Sequence, residues 1–175
     1  MNRKKTQNIA LAAVFAAAVT ALTMLHLPLP REAGYVHIGD SMIYLAASFL
    51  PAPYALVAAA IGGALADMAF GYFNWMPFTF VIKALNVVPF ALYYKYSQKS
   101  QQKIVTIPSV LMSLVSGVIT IVLYFFASWI VYGNAATAWL DVPGSVVQAV
   151  GSSVIYCLAG VALDAAKVKN KLNRR

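Results

Sequence analysis

Charge is what this chain has least of. Its 175 residues include 13 Lys and Arg but only five Asp and Glu, and charged residues make up 10% of the total, against about 25% in an ordinary soluble domain. Hydrophobic residues reach 61%, and the mean hydropathy is +0.73. That composition cannot coat a water-soluble globule, which excludes a cytosolic enzyme. Cysteine is nearly absent: Cys157 stands alone in an apolar run, so there is no disulfide framework and no Cys/His zinc spacing. The acidic residues Glu32, Asp40, Asp67, Asp141 and Asp164 are too dispersed for a carboxylate proton relay. The phosphate loop G-x-x-x-x-G-K-[ST] is missing, so this chain does not hydrolyse ATP alone. H-E-x-x-H, G-x-S-x-G and any Ser/His/Asp set are missing too. No catalytic residue, metal site or cofactor is expected. The two halves show no inverted repeat, which argues against many secondary transporters.

What is present is a series of apolar segments punctuated by proline. Pro53, Pro77, Pro108 and Pro143 each head such a segment, where a helix starts without needing that N–H. The pattern predicts an all-α membrane protein, a single domain over 1–175, with six transmembrane helices. They run near Thr6–Leu25, Ile38–Leu50, Pro53–Phe70, Pro77–Tyr96, Pro108–Tyr132 and Pro143–Lys167. The second is short for a bilayer crossing of about 20 residues. Asn2–Lys5 followed by Ile9–Leu25 has the outline of a signal peptide, but the apolar run is long for one and is kept as the first helix.

The net charge of +8 does not point to nucleic acid, because no basic stripe lies along a helix or strand face. The basic residues instead flank the apolar segments. With six crossings, eleven of the thirteen fall on one side: Arg3, Lys4, Lys5, Lys95, Lys99, Lys103, Lys167, Lys169, Lys171, Arg174 and Arg175. Arg31 alone falls on the other, and Lys83 lies inside a helix. Positive charge marks the cytoplasmic face, so both termini are expected there, in a multi-pass protein of a bacterial plasma membrane.

Small residues crowd the first helix. Ala12/Ala16 and Ala13/Ala17 are small-xxx-small pairs, which let another helix approach closely. They serve either internal packing or an outward surface for a partner. The third helix, with Gly62, Gly63 and its alanines, reads as internal packing.

Polar residues concentrate in the outer half. An ionised side chain inside a bilayer costs about 2.5–3.5 kcal/mol on insertion scales, so Asp40, Asp67 and Lys83 require partners. At about 1.5 Å per residue, Lys83 and Asp67 lie at similar depths, which predicts an ion pair of Lys83 with Asp67 or with Asp40. Thr79, Lys83 and Asn86 share one helix face, and Pro89 should bend that helix just below them. Ser145, Gln148, Ser152 and Tyr156 form a matching stripe on the last helix. Two facing stripes are either interhelical glue or a pocket, and rows of this length favour a pocket. In the outer loops, Tyr35 and Trp75 are the first candidates for stacking on a flat heteroaromatic ligand, with His37 beside them; the other aromatics there read as interfacial anchors.

Four segments in order, Tyr35–Asp40 (YVHIGD), Leu50–Tyr54 (LPAPY), Gly62–Asp67 (GGALAD) and Trp75–Lys83 (WMPFTFVIK), together resemble the S components of energy-coupling factor (ECF) transporters. The resemblance covers nearly the whole chain. It implies a six-helix vitamin-binding protein of the bilayer that captures its substrate outside. It also implies docking, through the Ala-x-x-x-Ala face of the first helix (Ala12, Ala13, Ala16, Ala17), on a transmembrane coupling subunit that carries two ATPase subunits. The substrate site would draw on Tyr35, His37, Asp40, Trp75, Thr79, Lys83, Asn86, Gln148, Ser152 and Tyr156. The His-Ile-Gly-Asp and Trp-x-Pro-x-Thr-x-x-x-Lys patterns look most like the hydroxymethylpyrimidine and pyridoxine subgroup, with pyridoxine slightly favoured because its phenolic oxygen suits Lys83. Riboflavin would require a larger cavity. The alternatives are a stand-alone carrier driven by a gradient and, third, an assembly factor without a small ligand.

Overall fold

A computed structural model describes residues 3–28, 35–97 and 103–173 of the chain; Arg31, Glu32, Lys99, Arg174 and Arg175 lie outside them. The elements follow in the order α1 (Arg3–Met24), β1 (His26–Pro28), β2 (Tyr35–His37), α2 (Asp40–Phe49), α3 (Ala52–Ala69), α4 (Met76–Leu85), α5 (Val88–Ser97), α6 (Ile107–Tyr132), α7 (Ala135–Ala165) and α8 (Val168–Asn173). Five helical runs are long and apolar enough to cross a membrane: α1, α3, the joined α4–α5, α6 and α7.

The outer surface and the interior have exchanged their usual characters. On α6, Leu111, Leu114, Val118 and Val122 are exposed while Ser109, Ser113, Ser116 and Thr120 are buried. On α7, Val147, Val150, Val154 and Leu158 face outward while Gln148, Ser152, Ser153 and Tyr156 face in. Such a surface is stable only where the solvent is hydrocarbon, and there the hydroxyls must turn inward to find partners.

Short α2 has a different task. Its ten residues extend about 15 Å, half a bilayer, yet eight of the ten are buried. Ile43, Tyr44, Leu45, Ala46 and Ala47 lie in the main apolar cluster with Val19, Ala55, Ala59, Phe90 and Tyr156. Helix α2 is therefore the axis around which the longer helices pack. A two-stranded antiparallel hairpin, with His26 opposite His37, brings the chain back from α1 to its start. The sequence pattern did not reveal these strands, which are three residues each.

Two boundaries differ from the sequence reading. The last long helix begins at Ala135, not at Pro143, because Asn134 caps it by accepting from the Ala136 N–H at 2.8 Å. Gly133, at φ 66, ends α6 in the left-handed region, so α6 and α7 meet in a tight turn and Trp139 belongs to α7 rather than to a loop. Proline inside the helix forfeits one backbone bond without ending it. The predicted fourth helix is interrupted: Asn86 and Val87 form a turn between α4 and α5, where Pro89 cannot donate to the Leu85 carbonyl.

Small residues set the closest approaches. A Cβ on Gly62 would lie 2.7 Å from the Ala16 carbonyl and 2.7 Å from Val19 Cβ, and Thr20 Oγ1 donates to the Gly62 carbonyl at 2.9 Å. A Cβ on Gly117 would stand 2.9 Å from Ala149 Cβ. Replacing Gly62 by Leu must therefore separate α1 from α3, an overpacking cost of about 1–3 kcal/mol. Gly151, with nothing within 4 Å of its would-be Cβ, should accept alanine without loss. Thermal unfolding of the two variants in detergent checks this contrast.

Candidate functional site

Asp40 is the first residue of α2 and is fully buried. Lys83 Nζ of α4 donates to its Oδ1 at 2.6 Å, and Gln148 Nε2 of α7 donates to its Oδ2 at 2.9 Å. Lys83 is 1% exposed, so an ammonium and a carboxylate neutralise each other in the interior and join three helices. Of the two partners that the sequence allows for Lys83, Asp67 and Asp40, the structure selects Asp40, so the salt bridge is not the Asp67–Lys83 pair. The reason lies at Gly63 of α3, where a Cβ would sit 2.7 Å from Lys83 Cγ and 2.9 Å from Thr79 Cγ2. The lysine stem crosses α3 at this bare position, and its ammonium ends on α2. Asp67 remains buried on α3, one turn further along.

An aromatic wall stands beside the pair, toward the N-terminal end of α4. Lys83 Nζ lies 5.1 Å from the centroid of the Tyr124 ring, whose hydroxyl donates to Thr79 Oγ1 at 3.2 Å. Trp75 packs at 6.2 Å from Tyr124 and 5.8 Å from Tyr132. Tyr124 was not foreseen, although its signal was present: it follows Ser113, Ser116 and Thr120 on the buried face of α6 at helical spacing. His37 is buried, and its Nδ1 accepts the Gly39 N–H at 3.0 Å. It belongs to the hairpin, outside the spanning helices. Burial first, and then the Lys83 charge, push its pKa from 6.5 down to about 3.

One turn deeper, Asn86 Nδ2 donates to Thr120 Oγ1 at 2.8 Å, and the Asn86 carbonyl accepts from Ser116 Oγ at 2.7 Å. Ser152 is buried on the same level of α7. Tyr156 belongs elsewhere. Its hydroxyl donates to the Ile104 carbonyl at 3.0 Å and lies 3.1 Å from Ser48 Oγ, in a second network where Asp164 accepts the Ile104 and Val105 N–H groups. Tyr35 contributes its backbone to β2, and its side chain lies outside the described residues. The structure thus brings Asp40, Thr79, Lys83 and Gln148 together, with Trp75 above, Asn86 and Ser152 below, and His37 two residues before α2. Among the described residues no cluster of three His, Cys, Asp or Glu could hold a metal ion.

The alanines of α1 divide between two faces. Ala13 and Ala17 are exposed, together with Ala10 and Ala21. Ala12 packs on the apolar core, and the Ala16 carbonyl lies beside Gly62. Of the four expected docking alanines, half-buried Ala12 and Ala16 thus turn toward the core and α3, while Ala13 and Ala17 remain outward.

A family model described as the S component of the ECF-type riboflavin transporter matches residues 3–165. The chain belongs to that family. A solved structure described as the S component of a bacterial ECF transporter is similar with a TM-score of 0.71, over 91% of this chain and 96% of that one. Their sequences are 16% identical, so the likeness is one of fold. A Pyrococcus woesei protein, described as an uncharacterized protein in gap 3'region, is 31% identical over 139 residues, 79% of this chain and 88% of its own length. The chain is therefore a membrane-embedded S component of an ECF transporter, a transport subunit rather than an enzyme, and the sequence reading of the family stands.

Removing one partner of a buried ion pair leaves an uncompensated charge, at a cost of about 3–5 kcal/mol. Asp40→Leu alone and Lys83→Met alone should each lower the unfolding temperature of this S component sharply, while the double variant recovers most of the loss. A double-mutant cycle on detergent-solubilised protein measures that coupling. The histidine makes a separate prediction. Its folded pKa lies below its unfolded one, so its contribution is fully present above about pH 6.5 and declines as the pH falls toward 3. His37→Asn, which keeps an acceptor for the Gly39 N–H, should flatten the acid limb of the stability profile.

Proposed function

We propose that this S component captures a flat, hydroxyl-bearing heteroaromatic vitamin at the outer face and delivers it inward with a transmembrane coupling subunit and two ATPase subunits. The observation that carries this reading is the buried Asp40–Lys83–Gln148 group beneath the Trp75–Tyr124–Tyr132 wall. An ammonium has three donors, and Lys83 directs one to a protein acceptor. Asp40 keeps the lysine charged, Gln148 holds Asp40, and the remaining donors suit a carbonyl or phenolic oxygen on a ring plane stacked below Trp75. The family name makes riboflavin the first ligand to test. Pyridoxine and hydroxymethylpyrimidine, to which the sequence patterns point, follow.

The topology is six crossings with both termini cytoplasmic, α2 serving as the short sixth. The asymmetry of eleven basic residues against Arg31 supports it. The exposed face of α1 carrying Ala10, Ala13, Ala17 and Ala21, with Val14 among them, is the docking surface, since its small side chains let a partner helix approach closely.

Mass spectrometry of small molecules released from the purified protein identifies the ligand, and a riboflavin-loaded sample would be yellow. A protein that carries none of the three vitamins, and whose melting temperature none of them raises, would overturn the vitamin reading. Lys83→Met should weaken ligand binding about 10–100-fold, the worth of a charged hydrogen bond. Ala13→Leu with Ala17→Leu should abolish uptake in cells and leave affinity within about twofold. Equal loss of affinity would remove the docking role from α1.

A further inference from the structure

Beneath the Asp40–Lys83–Gln148 group lies a second polar layer that the sequence pattern did not single out as a unit. The hydrogen bonds of that group hold Asp40, Lys83 and Gln148 at one level. Tyr44 follows Asp40 by four residues, Asn86 follows Lys83 by three and Ser152 follows Gln148 by four, so each stands one helical turn further on. That all three turns progress the same way is fixed by the floor below them. The Tyr44 ring stacks on Phe90 at 5.8 Å and meets Tyr156 edge-on at 6.0 Å, and Phe90 meets Tyr156 at 5.9 Å. Long helical side chains lean toward the N-terminus of their helix. That lean would carry the Tyr44 hydroxyl back along α2, toward Asp40.

Between these two levels three buried atoms have no hydrogen-bond partner among the described residues: Tyr44 Oη, Asn86 Oδ1 and Ser152 Oγ. All three side chains are 0% exposed. An orphaned buried polar atom costs about 1–3 kcal/mol, and native proteins rarely leave one unmet, let alone three on one level. Thr23 Oγ1, Asp141 Oδ1 and Ser153 Oγ are likewise without a hydrogen-bond partner among the described residues, whereas Asn86 Nδ2 binds Thr120, Ser116 binds the Asn86 carbonyl and Tyr156 binds Ser48 and Ile104.

We propose that Tyr44, Asn86 and Ser152 form an inner subsite that receives a hydroxyl group of the transported vitamin. The inference rests on the reading of this chain as a vitamin-binding S component, and it assigns Tyr44, which no sequence pattern indicated, to substrate specificity. A hydroxyl has one donor and two lone pairs. It accepts from Tyr44 and Ser152 and donates to Asn86 Oδ1, so one group completes all three. A ligand carbonyl would leave the asparagine oxygen unmet, and a methyl group would leave all three. The ring of the vitamin then lies at the level of Lys83, with its hydroxylated arm pointing inward onto the aromatic floor.

A water molecule offers the same chemistry, and the test separates the two sources. Riboflavin, pyridoxine and hydroxymethylpyrimidine are each titrated against a counterpart without the hydroxylated arm or the hydroxyl: lumiflavin, with a methyl in place of the whole ribityl arm, 4-deoxypyridoxine and 2,5-dimethyl-4-aminopyrimidine. For whichever parent binds, the wild-type protein should prefer it to its counterpart by at least about tenfold. Tyr44→Phe and Ser152→Ala should erase that preference, leave the affinity of the counterpart unchanged and leave the melting temperature of the ligand-free protein equal or higher. Equal affinity of parent and counterpart in the wild type, or unchanged parent affinity in the variants, would overturn the subsite while leaving the vitamin reading intact. A lower melting temperature of the ligand-free variants with unchanged parent affinity would assign the layer to a structural water and overturn it likewise. If the wild type binds none of the three parents, the vitamin reading fails and the subsite with it.

Discussion

The ion pair between Asp40 and Lys83 is the constraint on which the rest of this bundle depends. Neither charge is tolerable alone at that depth, and together they can exist only if α2 begins where Lys83 of α4 can reach it. Several unusual features serve that meeting. Helix α2 is short and buried, so its first residue lies inside the protein rather than at a membrane surface. A strand hairpin carries the chain from the end of α1 back to that point. Gly63 leaves α3 bare where the lysine stem crosses it. Gln148 reaches over from α7 to the second carboxylate oxygen, so a change in the position of any of three helices is felt at one carboxylate.

Bilayer packing explains why so much else in the interior is polar. Lipid competes with apolar side chains for apolar side chains, so burying leucine supplies little drive for association. Hydroxyls and amides have no alternative in hydrocarbon and settle inside. Here they form two networks. One is the group around Asp40, and the other is the set in which Asp164 holds the Ile104 and Val105 amides while Tyr156 and Ser109 hold the Ile104 carbonyl. The rings of Tyr44, Phe90 and Tyr156 separate them. The two polar networks are thus kept apart by an apolar floor.

Much of this architecture was legible in the residues. The face carrying Thr79, Lys83 and Asn86 was readable from helical spacing, and so was the bend caused by Pro89. The stripe from Gln148 to Tyr156 was readable in direction but not in extent, because Tyr156 is two turns past Gln148 and its hydroxyl has joined the other network. Pro143 was misleading as a helix start, since the Asn134 cap nine residues earlier overrode it. The choice between Asp40 and Asp67 turned on the empty space at Gly63, a property of two helices in contact.

Composition and spacing by themselves determined that the chain lives in a bilayer and that Asp40, Asp67 and Lys83 fall within its apolar segments, while four ordered motifs resembled those of the S components. Those properties follow from the chain's own chemistry, because solvent choice depends on the sum of its side chains and helix faces repeat at a fixed period. Only the tertiary structure decided which aspartate neutralises Lys83, which alanines of α1 face outward, and that Tyr44 stands below the ion pair. Each of these depends on the rotation of one helix against another. Helix rotation is set by close packing at Gly62, Gly63 and Gly117, where contact between distant segments, not local sequence, selects the face.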